Sequence, residues 1–174
     1  VKPEQAEFLR DYVLSNLPQE AQITRRVIAA IPDARSSYRP DEKSRSAFEL
    51  AWHIAASDAW FVKGLLAGKF NAEEDTSGSV PANIKTVADI LSYYDREYIA
   101  QIEKLKGLSG EALIRETEFF GVYKFPLVMY LSFLQMHEIH HRGQLSTYLR
   151  AMGSKVPSIY GGSYDEPFEA GANA

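Results

Sequence analysis

The sequence predicts an all-α protein, a four-helix bundle with crossover connections and a short hairpin before the last helix. Three observations carry this. Apolar residues recur at helical spacing over four long stretches. Capping residues and glycines bracket those stretches. No series of alternating strands separates them, which leaves a bundle as the way to bury four apolar faces. The 174 residues suit a single domain spanning residues 1–174, with a core over about residues 4–153 and a C-terminal tail over 154–174.

The first stretch is helical from Glu4 to Leu17 and again from Gln19 to Ile31, where Ile23, Val27 and Ile31 share one face. Pro18 breaks or kinks it, because proline lacks the backbone donor and clashes with the preceding turn. "PDARSSYRPDEK" then reads as a loop. The second helix starts at "SAFE", in which Ser46 and Glu49 have capping-box spacing. It runs to about Ala67, and Gly68 suits the left-handed residue past its end. "KFNAEEDTSGSVPAN" reads as a polar, mobile loop. A third helix is expected from about Val87 to Lys106, with Thr86 and Asp89 at its start and Gly107 as its stop. "ETEFFGVYKF" predicts the hairpin, and Pro126 suits the first turn of a last helix continuing to Met152 before Gly153. The tail after Gly153 is expected to pack in part and to fray. The longer connections after Gly68 and Gly107 leave room for the crossovers.

Composition narrows the function classes. A net charge of -4 with no basic stripe argues against nucleic acid as a partner. No apolar run approaches the roughly 18 residues of a membrane span. The first residues, "VKPEQAEFLRDY", lack the apolar core of a signal peptide, so a cytoplasmic protein is expected. With no cysteine, the chain has no thiolate ligand and no cysteine nucleophile.

The chemistry concentrates in four histidines. Three lie in "MHEIHHRGQL", and the fourth, His53, lies in "LAWHIAASDAW". Residues four apart on a helix lie nearly above one another, so His137 and His141 share a face that Gln144 and Tyr148 continue. His140 flanks that stripe, while Glu138 and Arg142 point to one side. His53 shares a stripe with Glu49, Ser57 and Trp60. Buried histidines satisfied by hydrogen bonds are the plain reading of any one of these. A metal ion is favoured because all four fall on two helices, and one ion satisfies several imidazoles at once. Copper or iron would also suit three imidazoles, besides zinc and nickel.

Two rival motifs use the same letters. "HEIHH" fits the H-E-x-x-H of zinc proteases, with Glu138 as general base. No further histidine follows, so its third ligand would have to be Glu166 or Glu169. Glu138 and His141 also form a Glu-x-x-His, but a dinuclear carboxylate bundle needs two such motifs and Glu49 sits four residues before His53.

"YRPDEKSRSAFELAWHIAASDAWFVKG" together with "HEIHHRGQLSTYLRAMGSKVPSIYG" resembles the DinB/YfiT-like family of bacterial metal-binding helical bundles, over about Glu4 to Tyr160. The resemblance implies one divalent metal ion, often zinc or nickel, held by His53, His137 and His141, the trio that spacing also selects. It further implies a four-helix bundle of unusual crossover topology and frequent homodimers. Characterised relatives include thiol-dependent transferases and isomerases, so it implies a small-molecule thiol and an electrophile as substrates; many other members have no established activity. Gln144 and Tyr148 are candidates for orienting substrate and Trp60 for a pocket wall, while Trp52 reads as core. Gly143 is expected to let another helix approach, and Arg142 to pair with an acid at the bundle edge or a dimer contact. Two further readings remain: a non-catalytic metal-binding or stress-associated bundle, and the metallopeptidase.

Overall fold

The structure is a computed structural model and describes residues 1–167. Helix α1 (Pro3–Leu14) is followed by α2 (Leu17–Ala29), α3 (Ala47–Ala67) and α4 (Val87–Tyr94). The helical path of α4 continues through a π turn at Asp95–Ile99, a single turn α5 (Ala100–Ile102) and a 3-10 turn ending at Gly107. A short α6 (Gly110–Leu113), the strands β1 (Glu116–Phe119) and β2 (Tyr123–Pro126), and the long α7 (Met129–Ala151) complete the order.

Four helices form the bundle. Helix α7 packs on α3 and on α2, and α4 packs on the same two from the other side. The consecutive helices α2 and α3 therefore occupy opposite corners, as do α4 and α7, which is the crossover arrangement. Helix α1 lies outside this ring against α6 and the 3-10 turn. The core is apolar and close-packed, with Leu50, Ile54, Leu65, Ile90, Leu134, Leu145 and Leu149 fully buried.

The capping expectations hold. Ser46 and Glu49 exchange both bonds of a capping box, as do Thr86 and Asp89. Gly68 ends α3 in the left-handed conformation, at φ 67. The first helical stretch breaks at Ser15–Asn16 rather than at Pro18. Pro18 instead sits in the first turn of α2, where a missing backbone donor costs nothing. Pro126 likewise lies elsewhere than expected: it ends β2, paired with Glu116, and α7 begins three residues later. The backbone amides of Leu127 and Val128 donate to Arg115 and Leu113, which holds the chain off the helical path until Met129.

Two segments read as loose are fastened. The loop after Gly68 is stitched to α3 by the indole donors of Trp60 to the Asn71 carbonyl and of Trp52 to the Thr76 carbonyl. The tail, as far as residue 167, is held by Arg150 to Asp165, Arg26 to Glu166, and Tyr160 to both Arg142 and Glu20. Among the described residues, no helix is long and apolar enough to cross a membrane.

Two glycines differ in what they do. A Cβ on Gly64 would overlap the ring of Phe70, so only glycine lets that ring lie against α3. Gly143, expected to admit a neighbouring helix, has nothing within 4 Å of where a Cβ would stand. Gly143→Ala should therefore raise stability by about 0.5–1 kcal/mol by removing a flexible helix residue. Gly64→Ala should lower it by about 1–3 kcal/mol through overpacking. Urea denaturation of the two variants checks both signs.

Candidate metal centre

The face that α3 turns to α7 carries His53, and the face that α7 returns carries His137 and His141. Their ligand nitrogens all lie within 4.8 Å of one another. Nε2 of His53 stands 3.3 Å from Nε2 of His141 and 3.3 Å from Nε2 of His137. Nitrogens bound to zinc at about 2.0–2.1 Å in a tetrahedron are separated by roughly 3.3–3.4 Å. The spacing fits such an ion.

The other ring nitrogens say which protons are present. Nδ1 of His53 donates to the Ser77 carbonyl at 3.3 Å, and Nδ1 of His141 donates to Oε1 of Gln144 at 3.1 Å. Neither acceptor has a proton to give, so each ring is the Nδ1–H tautomer and its Nε2 is a bare lone pair. Nδ1 of His137 meets Oδ1 of the fully buried Asp58 at 3.2 Å. Only His137 could offer a proton at Nε2, and one proton cannot serve the other two nitrogens. A cation among the three satisfies all of them, with Asp58, Gln144 and Ser77 holding the rings from behind.

Electrostatics agree. Burial lowers the pKa of His53, His137 and His141 to about 4, and the positive charge of Arg45 pushes each in the same direction. The imidazoles are thus neutral at neutral pH, as metal ligands must be. Asp75, which lines the opening at the trio, acts on His137 in the opposite direction.

A pocket of 310 Å³ opens on the trio. Trp60, Phe61, Phe119 and Phe120 form its apolar wall, the last two supplied by the hairpin. A larger groove of 470 Å³, bordered by Lys63 and Tyr93, shares Trp60 but reaches none of the histidines. Of the residues selected from sequence, Trp60 stands at the pocket. Gln144 stands behind His141 and orients that ring rather than a substrate. Tyr148 is not on the pocket wall: it is buried edge-on against Tyr38, 5.7 Å between centroids. Trp52 is core, 2% exposed.

Asp58, Ser77 and the hairpin phenylalanines were missed by the sequence reading. Asp58 lies five residues after His53, off its stripe, and the other contacts cross between distant segments. The one available signal was "FFG" in a tight turn, where a bulky residue is out of place.

Glu138 is turned away from the histidines, about 100° around α7, and is completely buried. Its oxygens accept from Tyr94 at 3.2 Å and Tyr98 at 2.9 Å. It cannot serve as general base at the trio, which removes the metallopeptidase reading. Glu166, offered as that site's third ligand, is bound to Arg26 and to the Ser158 amide, and Glu169 lies outside the described residues. Glu49 is occupied in its capping box, so among the described residues it is not available to a dinuclear carboxylate site. Arg142 is also interior, 1% exposed, and pairs with Glu20 at 2.6 Å and with the Tyr160 hydroxyl at 2.5 Å. Its work is to lock the tail onto α2, not to form an edge or dimer contact.

The DinB family profile matches residues 8–171. The chain belongs to the DinB family. This DinB chain is 25% identical to the uncharacterized protein YrdA of Bacillus subtilis over 168 residues, 94% of this chain and 95% of YrdA. It is 29% identical to YjoA of the same organism over 154 residues, 85% of this chain and 94% of YjoA. A crystal structure of a DinB-like protein from Bacillus cereus superposes with a TM-score of 0.71 at 26% identity, over 85% of this chain and 95% of that one. The crystal structure of YjoA superposes with a TM-score of 0.68 at 27% identity, over 86% of this chain and 97% of that one.

Burial, followed by the charge of Asp58, pushes the Glu138 carboxyl up to about 8. Unfolded, it ionises near 4.5. Between those values the folded chain keeps a proton that the unfolded chain has released, so stability falls as pH rises, by up to about 1.4 kcal/mol per pH unit. Glu138→Gln carries no such term. Its stability relative to wild type should rise from pH 4.5 to 8 and then level off, as measured by urea denaturation across that range. Glu138→Ala orphans two tyrosine hydroxyls and leaves a cavity, and should cost about 2–4 kcal/mol at pH 4.5, a cost that shrinks toward pH 8 because this variant lacks the same titration.

Proposed function

We propose that this DinB-family protein binds one divalent metal ion, zinc or nickel, through His53, His137 and His141, and uses it in thiol-dependent group transfer. The observation that carries the reading is the convergence of three Nε2 atoms whose rings are held from behind by Ser77, Asp58 and Gln144. Three protein ligands with a pocket beside them favour an open coordination position over a closed structural site. Such an ion supplies a Lewis-acid position that lowers the pKa of a small thiol.

The chain's own residues do the rest. Having no cysteine, the protein must take its thiol from solution as a cosubstrate. Trp60, Phe61 and Phe119 exclude water from one side of the reacting atoms. In the transfer, sulfur bonds to the electrophilic carbon as that carbon's bond to its leaving group breaks, and the thiol proton passes to water. The buried ion pair and tyrosine cage on the far face of α7 keep the two ligand-bearing turns in place.

A non-catalytic metal-binding bundle would need the same three ligands but no use for the pocket. Elemental analysis of protein made without a polyhistidine tag should find one metal equivalent, absent from His53→Ala, His137→Ala and His141→Ala. Asp58→Asn should keep the site but weaken metal affinity about 10–100-fold. Wild-type protein that takes up neither zinc nor nickel on titration would return the histidines to packing. Metal-loaded protein that conjugates no thiol to any electrophile in a panel would leave the non-catalytic reading.

A further inference from the structure

The hairpin contains the one non-glycine residue with positive φ among the described residues, Phe120 at φ 53. With Gly121 at φ 67 and a bond from the Val122 amide to the Phe119 carbonyl, this is a turn with both central residues left-handed. Asparagine or aspartate followed by glycine is the usual choice there, because Cβ crowds the following carbonyl oxygen and only glycine, or a short polar side chain that bonds locally, escapes or offsets this. A phenylalanine at that position is strained and has no local hydrogen bond to offset it. Its burial does not obviously offset this, since Phe120 remains 51% exposed.

What Phe120 does gain is a position. Its ring stacks on Trp60 at 5.2 Å and 24°, and meets Phe119 edge-on at 4.7 Å. Phe119 in turn stacks on Phe61, which lies 5.9 Å from the ring of His137. A continuous aromatic wall thus runs from the hairpin tip to a metal-ligand candidate, and Phe120 is its exposed end. Stacked and edge-on rings present faces that suit a further flat apolar group. The 310 Å³ available is ample, since a cavity of about 150 Å³ already admits benzene.

We propose that this pocket binds a small molecule carrying a flat, apolar group beside its metal-directed donor, and that Phe120 is the residue that selects it. The proposal rests on the metal-site reading for the donor but not for the apolar group. The strained turn is kept because it places a ring at the pocket mouth, where asparagine or glycine would leave it open.

The test has two arms. Cobalt(II)-loaded protein is titrated with benzyl mercaptan and with 2-mercaptoethanol, following thiolate-to-cobalt absorbance. Benzyl mercaptan should bind at least tenfold more tightly. Phe120→Gly should lose most of that preference and show the same or a higher melting temperature. In the second arm, metal-free protein is titrated with benzyl alcohol, following tryptophan fluorescence. A saturable shift is expected, and its loss in Phe120→Gly. Equal affinity for the two thiols, a preference untouched in Phe120→Gly, or a melting temperature lowered by several degrees would overturn the proposal. Failure to take up cobalt, or to bind either thiol, overturns the reading of the metal site instead, and the benzyl alcohol arm then decides this one alone.

Discussion

Helix α7 carries polar groups on two faces, and each face must find partners inside the bundle. That constraint organises the rest. One face presents His137 and His141 to α3; the other, a quarter turn away, presents Glu138 and Arg142 to α4 and α2. A buried polar group without a partner costs roughly 1–3 kcal/mol, and a buried charge more. The neighbours are chosen accordingly: Asp58 and His53 on α3, Tyr94 at the end of α4 and Tyr98 in the π turn that continues it, Glu20 and Thr24 on α2. The crossover topology is what brings those three helices around α7 in that order.

The two faces use opposite solutions. On the Glu138 side every group is closed off: tyrosines donate to the carboxyl, Arg142 pairs with Glu20, and Tyr160 of the tail joins both members of that pair. The result is a rigid plug that also fastens residues beyond Gly153. On the histidine side closure is incomplete: the three Nε2 atoms converge, and Oδ2 of Asp58 and the Tyr148 hydroxyl are buried without a hydrogen-bond partner. Every Nδ1 is engaged while every Nε2 faces the other two, and a pocket adjoins them. Rigid support on one face thus steadies the three imidazoles on the other.

The hairpin and the loop after Gly68 complete the site from outside the bundle. The loop brings the Ser77 carbonyl behind His53 and is itself fixed by the indoles of Trp52 and Trp60. The hairpin is anchored by the Tyr130 hydroxyl, which donates to the Thr117 carbonyl at 2.7 Å, so its tip projects Phe119 and Phe120 over the pocket. Neither segment is regular bundle structure, yet between them they decide how the ligands are oriented and what the pocket admits.

The amino-acid sequence by itself determined the helices, their capping residues, the hairpin and the pairing of His137 with His141, because each of these is written in local spacing. The i, i+4 pair of His137 and His141 and the Ser46–Glu49 box need no knowledge of distant chain. It also determined that Glu138 and Arg142 leave the histidine stripe, but not where they go. Tertiary structure alone decided that they are buried, that Asp58 stands behind His137, and that Tyr148 faces Tyr38. It decided too that Gly143 meets no neighbour while Gly64 meets Phe70. These outcomes depend on which residues, far apart along the chain, supply the partner that a buried polar atom or an open space requires. Helical periodicity gives the direction a side chain takes from its axis; only the packed bundle says what stands there.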